Sequence, residues 1–545
     1  MQRISWQCWA AAGLSAGLLE LPFPLAGPLP PWRALFAWIG LAPLLWAILR
    51  TASGPRPLRR SFLVGYLAGF LWYCGNCYWV RDTMMRYGDM PAVAPTLLLV
   101  AFSLVLGLYW GVFGLVLAVI RRASKGPEPA LIAAPFAWAA LELAAARITS
   151  VPWDQLGYSQ VDNALVSPLA TVTGVYGISF LLVAVNALLA GAFLFEGRKE
   201  KLISAVAGLA LFAAALAGSR LPAPAAPASA TAVLVQPNLD VGADNDWSGP
   251  EWDRHIAQFQ SLAQKNCKTY IAGIPQTGAS QGEIMCPPWI TYPDLVVWPE
   301  SPAPFIEPEP RVQSGLASVA QAAHAPIITG ALGVDATSDG YRSYNSALVL
   351  AADGAHLGRY DKIHLVPFGE YIPFKDLLFF AHKLTGRVSE FSRGAERRAF
   401  LINGHRYGIF ICYESVFADE VRRFAKNGAE VFVNISDDGW YGDTSAPWQH
   451  LNMARMRAIE NRRWLLRDTN NGITAAIDPY GRVRQSIPRH VVDALPAQYG
   501  FRSDVTFYTA HGDVFAWLCA ILTVGLIAWA QRTGAGPAAQ SKDRS

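Results

Sequence analysis

Charged residues are scarce in the first 220 residues of this 545-residue chain, and its seven cysteines are scattered. Cys74 and Cys77 form one CxxC pair inside an apolar run, without a second pair. This argues against a zinc site and favours a role in helix packing. The sequence has no internal repeats. Its net charge of +4 is accounted for by short basic loops, so nothing in the composition requires a nucleic-acid partner.

Long apolar runs take the place of charge in the first part of the chain. A helix of about 20 apolar residues spans a bilayer. Seven such runs precede a stretch of mixed, soluble-type composition, and one follows it: 6–27, 31–49, 61–80, 93–120, 129–147, 171–195, 202–219 and 512–531. We therefore expect a polytopic α-helical membrane domain with eight transmembrane helices, joined to a soluble domain.

The basic residues of the loops indicate the orientation of these helices. Cytoplasmic loops are enriched in Lys and Arg. Basic clusters follow the second, fourth, sixth and eighth runs: Arg50, Arg56, Arg59, Arg60; Arg121, Arg122, Lys125; Arg198, Lys199, Lys201; and Arg532, Lys542, Arg544. Both termini are then cytoplasmic and the large domain is extracytoplasmic. A cleaved signal peptide is the alternative for the first run, but no convincing small-x-small cleavage site precedes the Pro-rich segment 22–31.

Composition also predicts the domain boundaries. They are a membrane domain with seven helices (1–220), a linker rich in Pro and Ala (221–230), an extracytoplasmic catalytic domain (231–508), an eighth transmembrane helix (509–532) and a cytoplasmic tail (533–545). Short strands alternate with helices in 231–508, which is typical of an α/β sandwich. Cys267 and Cys286 lie in this exported part, and the sequence leaves open whether they form a disulfide.

Three segments carry residue types used in covalent catalysis. RYGIFICYES (406–415) is an apolar strand that ends at Cys412 just before a helix, whose N–H groups favour a thiolate. LVVWPES (295–301) places Glu300 after a buried strand, and GRYDKIHLVPFGEYIPF (358–374) places Lys362 after another. Each segment alone has an ordinary alternative: a buried structural cysteine, a turn-forming Pro-Glu pair or a solvated lysine. The three together, in the order Glu, Lys, Cys, favour a catalytic site.

This order resembles that of the nitrilase (carbon–nitrogen hydrolase) superfamily, whose α-β-β-α sandwich carries a Glu-Lys-Cys triad. The resemblance implies that Glu300, Lys362 and Cys412 are the catalytic residues. Further segments are similar to one family within it, the apolipoprotein N-acyltransferases, which join eight membrane helices to this domain: KIHLVPFGEYIPF, ICYES, 445–478 and PWDQLGYSQ (152–160). The resemblance covers almost the whole chain and is weakest over 237–294.

The resemblance implies a ping-pong reaction. Cys412 would take an acyl chain as a thioester from a phospholipid, usually phosphatidylethanolamine. It would then pass the chain to the N-terminal S-diacylglyceryl-cysteine of an apolipoprotein. Glu300 would be the general base, and Lys362 would favour the thiolate and stabilise the oxyanion with the N–H of Tyr413. No metal or other cofactor is implied. The implied location is the bacterial inner membrane, with the catalytic domain on the periplasmic side.

Further residues match family positions with supporting or substrate-positioning roles. Glu370 is expected to hold Lys362 or to orient the substrate. For Tyr413 and Glu414, packing and capping at the turn is the alternative. The remaining positions in this group are Trp298 and Trp440, together with Trp247 or Trp252 as the family's early functional tryptophan.

Five other features have a structural alternative of similar or greater weight. His364 and His450 fall inside matching motifs, and we expect them to be structural hydrogen-bonding residues. The apolar segment 376–384 is either a lid or a packed helix. Glu20 and Glu142 lie in predicted spans, where ionisable groups are expensive, and are either functional or paired.

Two other functions use the same residues differently. A membrane-bound amidase of the nitrilase type would deliver the acyl group of a lipid-like amide or ester to water, and it would release free fatty acid without N-acylating a peptide. A transporter or scaffold with an inactive module would require a broken triad. All three triad residues are present.

Overall fold

The computed structural model describes residues 4–88, 91–222, 224–240, 249–263, 292–338, 340–367, 369–371 and 390–534. Several positions named above lie outside these residues: Trp247, Cys267, Cys286, the segment 376–384 and most of the tail 533–545. The expectations for them stay predictions.

A helix lies in each of the eight apolar runs. In the first part of the chain a 3₁₀ helix, Pro31–Trp38, accompanies helices α1 Trp6–Glu20, α2 Ala42–Ala52, α3 Pro57–Asn76, α4 Trp79–Tyr87, α5 Val93–Arg122, α6 Glu128–Ala144, α7 Ala170–Thr173, α8 Val175–Leu194 and α9 Arg198–Gly218. The later helices are α10 Gly249–Ala263, α11 Pro310–Ala323, α12 Ala418–Lys426, α13 Ala446–Asn461, α14 Phe507–His511 and α15 Val514–Gly534.

Within the described ranges, six helices are long and apolar enough to cross a membrane by length and composition. They are Pro31–Ala52, Val93–Arg122, Glu128–Thr149, Val175–Leu194, Arg198–Gly218 and Val514–Thr533. The expected helical membrane part is confirmed at this level. Helices α1 and α3 occupy the other two predicted runs, and a total of eight spans stays a prediction.

Helices α3 and α5 pack through glycines. A Cβ at Gly65 of α3 would lie 2.3 Å from the carbonyl oxygen of Trp110. A Cβ at Gly114 of α5 would lie 2.3 Å from the carbonyl oxygen of Ser61. Small residues allow two helix backbones to approach this closely in a membrane, where burial of apolar surface from water does not drive association. Shape complementarity at these glycines therefore fixes α3 against α5.

The second part of the chain forms two six-stranded sheets, in the orders β12-β1-β2-β3-β4-β5 and β11-β10-β9-β8-β7-β6. The strands are β1 Ala230–Gln236, β2 Leu295–Val297, β3 Ile327–Thr337, β4 Gly340–Leu350, β5 His356–Asp361, β6 Ala399–Ile402, β7 His405–Ile411, β8 Val431–Ser436, β9 Trp464–Thr469, β10 Ala475–Ile477, β11 Val483–Ser486 and β12 Asp493–Tyr499. The parallel neighbours are β1–β2–β3 in one sheet and β7–β8–β9 in the other.

Alternation along the strands explains how these sheets pack. On β1, Leu234 belongs to the apolar core shared with β7, β8 and β9, whereas Val233 and Val235 belong to a second core with α10 and α11. Successive side chains of a strand point to opposite faces. The sheet that contains β1 therefore packs with one face on the other sheet and with its opposite face on α10 and α11. Helices α12 and α13 contact the second sheet. The predicted α-β-β-α sandwich is confirmed.

Helix α13 joins the sandwich to the membrane part. All its residues except Trp448 are buried, although several are charged. Arg457 donates to Glu460 at 2.8 Å and to the hydroxyl of Tyr158 at 3.1 Å, and Glu460 accepts from the N–H of Val175 at 3.2 Å. Buried charges are tolerated when they are paired and hydrogen-bonded. These pairs therefore hold the loop before α8 against the sandwich.

The glycine contacts predict a local sensitivity of the membrane part. Replacing Gly114 by Val should lower the free energy of unfolding by about 1–3 kcal/mol, because the added methyl groups overlap the backbone of α3. The midpoint of thermal unfolding in detergent would measure this loss. Gly13→Val is the matched control, since a Cβ at Gly13 has no heavy atom within 4 Å. An equal loss in both variants would contradict the role of close helix packing.

Candidate active site

Cys412 follows strand β7 and begins a 3₁₀ turn, Cys412–Val416. Its backbone φ is +49°, in the left-handed region that a residue with a Cβ rarely adopts. Such a conformation costs about 1–3 kcal/mol and persists only where the surroundings hold it. The helix predicted to follow Cys412 begins at Ala418, because the chain makes this tight turn first. The side chain of Cys412 is buried at the point where β7 ends.

Glu414 holds this turn in place. Its carboxylate accepts hydrogen bonds from the N–H groups of Ile411 at 2.8 Å and Ile363 at 2.7 Å. It also accepts from the N–H of His364 at 3.2 Å and the hydroxyl of Tyr360 at 2.8 Å. Ile363 and Tyr360 flank Lys362. One buried carboxylate therefore fixes the Cys412 turn to the segment that carries Lys362. These contacts of Glu414 are those of a residue that caps the turn, which is the alternative to a direct functional role.

Lys362 lies between two carboxylates. Its Nζ is 3.0 Å from Oε1 of Glu300 and 2.9 Å from Oε1 of Glu370. Asn345 on β4 donates to the same two oxygens at 2.7 Å and 2.6 Å. All four side chains are buried. The structure thus brings Glu300, Lys362 and Glu370 into one hydrogen-bonded cluster.

The cluster includes the thiol of Cys412. Glu300 lies close enough to the thiol to share a hydrogen bond with it. The other carboxylate oxygen of Glu300 accepts from the N–H of Asp437 at 2.9 Å. Glu300 is therefore held by Lys362, Asn345 and the chain after β8 while it faces the thiol.

Burial and charge act in opposite directions on these groups. Burial raises the pKa of Glu300, but Lys362 and Asn345 outweigh it, and the pKa is lowered. Burial lowers the pKa of Lys362, but Glu300 and Glu370 outweigh it, and the pKa is raised well above its usual value. Burial and then Glu300 raise the pKa of Cys412, against the opposing effect of Lys362. At neutral pH the cluster holds a carboxylate, an ammonium group and a neutral thiol.

This combination suits general-base activation of a nucleophile. A neutral thiol beside an ionised carboxylate can lose its proton as it attacks a carbonyl carbon. The adjacent ammonium group can stabilise the negative charge that develops on sulfur and on the carbonyl oxygen. The geometry therefore permits an acyl-transfer reaction at Cys412.

The chain after β8 supports the nucleophile from the other side. His450 is buried, with Nε2 3.1 Å from the carbonyl oxygen of Cys412 and 2.7 Å from the hydroxyl of Ser415. Its Nδ1 is 3.1 Å from Asp438, which also accepts from Arg467 at 2.8 Å. These contacts are those of a structural hydrogen-bonding residue, as expected for His450. His364 has its ring against Phe417, with centroids 4.1 Å apart.

The remaining predicted positions lie around this centre. Tyr413 donates from its hydroxyl to the carbonyl of Ser150, at 2.9 Å, in the membrane part. Trp440 is 47% exposed and lies edge-on to Tyr87 of α4, with ring centroids 5.0 Å apart. Trp298 is instead stacked on Phe259 in the core under α10 and α11. We assign a packing role to Trp298, because its ring lies in that core while Glu300, two residues on, reaches the cluster.

Trp252, the described member of the pair of early tryptophans, is also a core residue. It is buried and packs edge-on to Phe305, with centroids 5.6 Å apart. The guanidinium of Arg311 lies 4.0 Å from the centre of its ring. This position gives Trp252 a part in holding α10 against α11. Trp247 lies outside the described residues.

The two acidic residues in the predicted spans have different surroundings. Glu142 accepts from the N–H of Leu156 at 2.8 Å and from the indole of Trp138 at 2.9 Å. Both carboxylate oxygens of Glu20 are buried. Polar pairing is thus found for Glu142.

Sequence reasoning missed three polar residues of this region. Asn345 interrupts an apolar strand, and that isolated amide was the available signal. Asp437 directly follows strand β8, and Glu300 is the third residue after β2. Gln449 donates to Asn76 at 3.0 Å and accepts from the indole of Trp153 at 2.9 Å. Gln449 precedes His450, so one helical segment contacts both the membrane part and the carbonyl of Cys412.

The contacts of Glu414 predict a large cost for a conservative change. Glu414→Gln places an amide NH₂ against N–H donors and leaves some of them unsatisfied. We expect a loss of about 2 kcal/mol in the free energy of unfolding, measured as a lower midpoint of thermal unfolding. Glu396→Gln, at an exposed position, should leave the midpoint unchanged. An unchanged midpoint for Glu414→Gln would show that the turn does not depend on this carboxylate.

Asp437 predicts a pH dependence of stability. Burial, and then Glu300, raise the pKa of Asp437 to about 8, whereas an aspartate in an unfolded chain titrates near ~3.9. Between these values only the folded state keeps the proton. The free energy of unfolding therefore falls as pH rises, by up to about 1.4 kcal/mol per pH unit. Asp437→Asn keeps an acceptor for the N–H of Gly439 and should remove this part of the slope, so its advantage over the unmodified protein grows from pH 5 to pH 8.

The control for this experiment is Asp443→Asn in the same loop. Burial slightly favours the neutral form of Asp443, but pairing with His490 outweighs it and lowers its pKa. Asp443→Asn should therefore show no advantage that grows with pH. Parallel pH profiles for the unmodified protein and Asp437→Asn would refute the assignment of the slope to Asp437.

Two family models match the chain. The apolipoprotein N-acyltransferase N-terminal domain matches residues 15–188, and the carbon-nitrogen hydrolase family matches residues 283–490. The first model covers most of the membrane part that precedes the linker. The second covers the strands and turns that carry Glu300, Lys362 and Cys412.

Individual proteins match over nearly the full length. The apolipoprotein N-acyltransferase of Geobacter metallireducens is 34% identical over 93% of this chain and 92% of its own. That of Azotobacter vinelandii is 32% identical over 98% and 97%. A solved carbon-nitrogen hydrolase from Helicobacter pylori G27 is 16% identical, with a TM-score of 0.35, over 49% of this chain and 88% of that one. On the strength of the full-length relatives, this chain belongs to the apolipoprotein N-acyltransferase family.

Proposed function

We propose that this protein N-acylates the N-terminal S-diacylglyceryl-cysteine of apolipoproteins, with a phospholipid as acyl donor and Cys412 as nucleophile. The observation that carries this proposal is the buried cluster in which Glu300 contacts both Lys362 and the thiol of Cys412. Family membership supplies the acceptor, because the full-length relatives are apolipoprotein N-acyltransferases. Each step below follows from the charges and contacts of the cluster.

In the first half-reaction, the thiol of Cys412 attacks the sn-1 ester carbonyl of phosphatidylethanolamine. Glu300 takes the thiol proton as the carbon–sulfur bond forms. Lys362, with the N–H of Tyr413, stabilises the oxyanion of the tetrahedral intermediate. The intermediate collapses when Glu300 returns the proton to the leaving alkoxide. The products are a lysophospholipid and a Cys412 thioester.

In the second half-reaction, the α-amino group of the diacylglyceryl-cysteine attacks the thioester carbonyl. Glu300 accepts a proton from the amine, and the same two donors stabilise the second tetrahedral intermediate. The carbon–sulfur bond breaks, and the thiolate of Cys412 regains a proton. The product is a triacylated lipoprotein with an amide at its N-terminus. No metal or other cofactor takes part in this scheme.

Glu370 is a positioning residue in this scheme. Like Glu300, it contacts Lys362, and its other oxygen accepts from the N–H of Val366 at 2.7 Å. A second carboxylate keeps the ammonium group charged in a buried site. Glu414 holds the turn of Cys412, and Trp440 borders the site beside α4.

The membrane part places this chemistry at a lipid surface. We propose eight transmembrane helices, with both termini cytoplasmic and the catalytic domain on the periplasmic side of the inner membrane. Three features support this arrangement: helices in all eight apolar runs, basic residues after every second run, and the buried junction of α13 with the loop before α8. The proposed domain boundaries are those stated from the composition, 1–220, 221–230, 231–508, 509–532 and 533–545.

The nucleophile can be tested by trapping the acyl-enzyme. The purified protein is incubated with phosphatidylethanolamine carrying a labelled sn-1 chain, and protein-bound label is then released with hydroxylamine. We expect label on the unmodified protein and none on Cys412→Ala, because only a thioester at Cys412 is cleaved so readily. Cys74→Ala, which removes a free thiol of α3, should retain the label. Persistent label on Cys412→Ala would overturn the assignment.

The acceptor is tested in the same preparation. A synthetic peptide with an N-terminal S-diacylglyceryl-cysteine is added, and its mass is followed by mass spectrometry. A mass increase of one acyl chain supports the transferase. Free fatty acid without acylated peptide would favour the amidase-type hydrolase instead, since water would then be the acceptor.

A further inference from the structure

A polar cavity lies beside the loop that follows β8, outside the catalytic cluster. Its volume is about 250 Å³, sufficient for a group the size of a phosphate with part of its substituents. Residues from distant parts of the chain line it, among them Arg86, Tyr87, Asp240, Gly439, Asn471 and Arg489. The cavity is therefore formed by the membrane part and the catalytic domain together.

This cavity is close to the reacting groups. The N–H of Asp437 donates to Glu300, and the carboxylate of Asp437 accepts from the N–H of Gly439 at 3.0 Å. Gly439 lines the cavity. Two residues of chain span at most about 7 Å, so the cavity wall begins within that distance of the residue that binds Glu300. A ligand in the cavity and an ester at Cys412 can belong to one molecule.

Two guanidinium groups converge on one glycine of this loop. Arg489 donates to the carbonyl oxygen of Gly442 at 2.8 Å. A Cβ at Gly442 would lie 2.9 Å from Nη1 of Arg86, and its φ of +57° also favours glycine. Gly442 thus lets two cations approach the same point. Planar guanidinium groups bind phosphate through paired hydrogen bonds.

Unsatisfied polar atoms accompany these cations. The side chain of Arg489 is 11% exposed, and its Nε has no hydrogen-bond partner among the described residues. Asn471 is 9% exposed, and its amide oxygen lacks a partner within the same part of the chain. Buried polar groups are normally hydrogen-bonded, and exceptions indicate a missing ligand or water. Here they indicate a polar ligand in the cavity.

The charges on the wall are mixed. Asp443, next to Gly442, lies 2.7 Å from His490 and 3.6 Å from Arg489. Asp240 also lines the cavity. The arginines suit an anionic group, and the amide oxygen of Asn471 suits a cationic one at the same site. A zwitterion such as phosphoethanolamine carries both.

We propose that this cavity binds the phosphodiester group of the acyl-donor phospholipid. The proposal rests on the proposed function, because only the glycerol backbone separates that phosphate from the sn-1 ester attacked by Cys412. Arg86 and Arg489 bind the phosphate oxygens, and the amide oxygen of Asn471 accepts a hydrogen bond from the ammonium group of the ethanolamine. The site gives the enzyme a way to select a phospholipid over other acyl esters.

The test compares a donor that carries phosphate with one that does not. Acylation of Cys412 is measured with phosphatidylethanolamine and with p-nitrophenyl palmitate, for the unmodified protein and for Arg86→Gln. Loss of one charged hydrogen bond should lower the ratio of kcat/KM for the two donors about tenfold. Arg81→Gln is the control, because Arg81 lies on the same helix but contacts Thr96 and Asp82 instead, and it should leave the ratio unchanged. An unchanged ratio in Arg86→Gln would overturn the proposal.

Direct binding measurements distinguish a lipid headgroup from free phosphate as the ligand. They also distinguish failure of the headgroup site from failure of the proposed function. Glycerophosphoethanolamine is titrated into the detergent-solubilised protein by calorimetry, with inorganic phosphate in a parallel titration. We expect glycerophosphoethanolamine to bind, about tenfold more weakly to Arg86→Gln and to Asn471→Ala. Equal binding of inorganic phosphate would overturn the headgroup assignment. If the proposed function is wrong, no acyl-enzyme forms with either donor. The calorimetry then still shows whether the cavity binds glycerophosphoethanolamine.

Discussion

The buried pairing of Lys362 with two carboxylates is the interaction on which the catalytic domain depends. Desolvating an ion costs several kcal/mol in a protein interior, and partners must offset that cost. Glu300 and Glu370 supply charge at 3.0 Å and 2.9 Å, and Asn345 donates to both. Burial, and then the carboxylate of Glu300, disfavour a thiolate at Cys412 until a substrate carbonyl is present to receive the charge.

The two sheets of the sandwich bring the residues of the site together at their strand ends. Glu300 follows β2, Lys362 follows β5 and Cys412 follows β7, so strand ends from both sheets meet at one edge. The left-handed backbone of Cys412 is strained and needs external support, which the hydrogen bonds to Glu414 and the contact of His450 with its carbonyl provide. These supports are buried and polar, and the loss of one leaves its partners unsatisfied. The nucleophile is thus positioned by a network and not by one bond.

The membrane part contributes to the site as well as to its location. Helix α13 is buried against the loop before α8, and its Gln449 bonds to Asn76 of α3. Tyr87 of α4 donates to the carbonyl of Gly439 at 2.6 Å, in the loop that contacts Glu300. A nitrilase-type hydrolase of small amides has no need of such contacts. A transferase that takes an acyl chain from a bilayer does, because its donor must reach the nucleophile from the lipid.

The sequence by itself predicted the helical membrane part, the α/β sandwich and the three residues of the proposed triad. Apolar runs, strand patterns and strand-end residues are local features that can be recognised in the sequence alone. Only the tertiary structure decided which polar residues surround the triad. Asn345, Asp437 and Gln449 act through partners that are 45, 137 and 373 positions away, and no spacing in the sequence encodes such pairs. Trp298 shows the converse: it lies two residues from Glu300, yet strand alternation and the stack on Phe259 place its ring in the core.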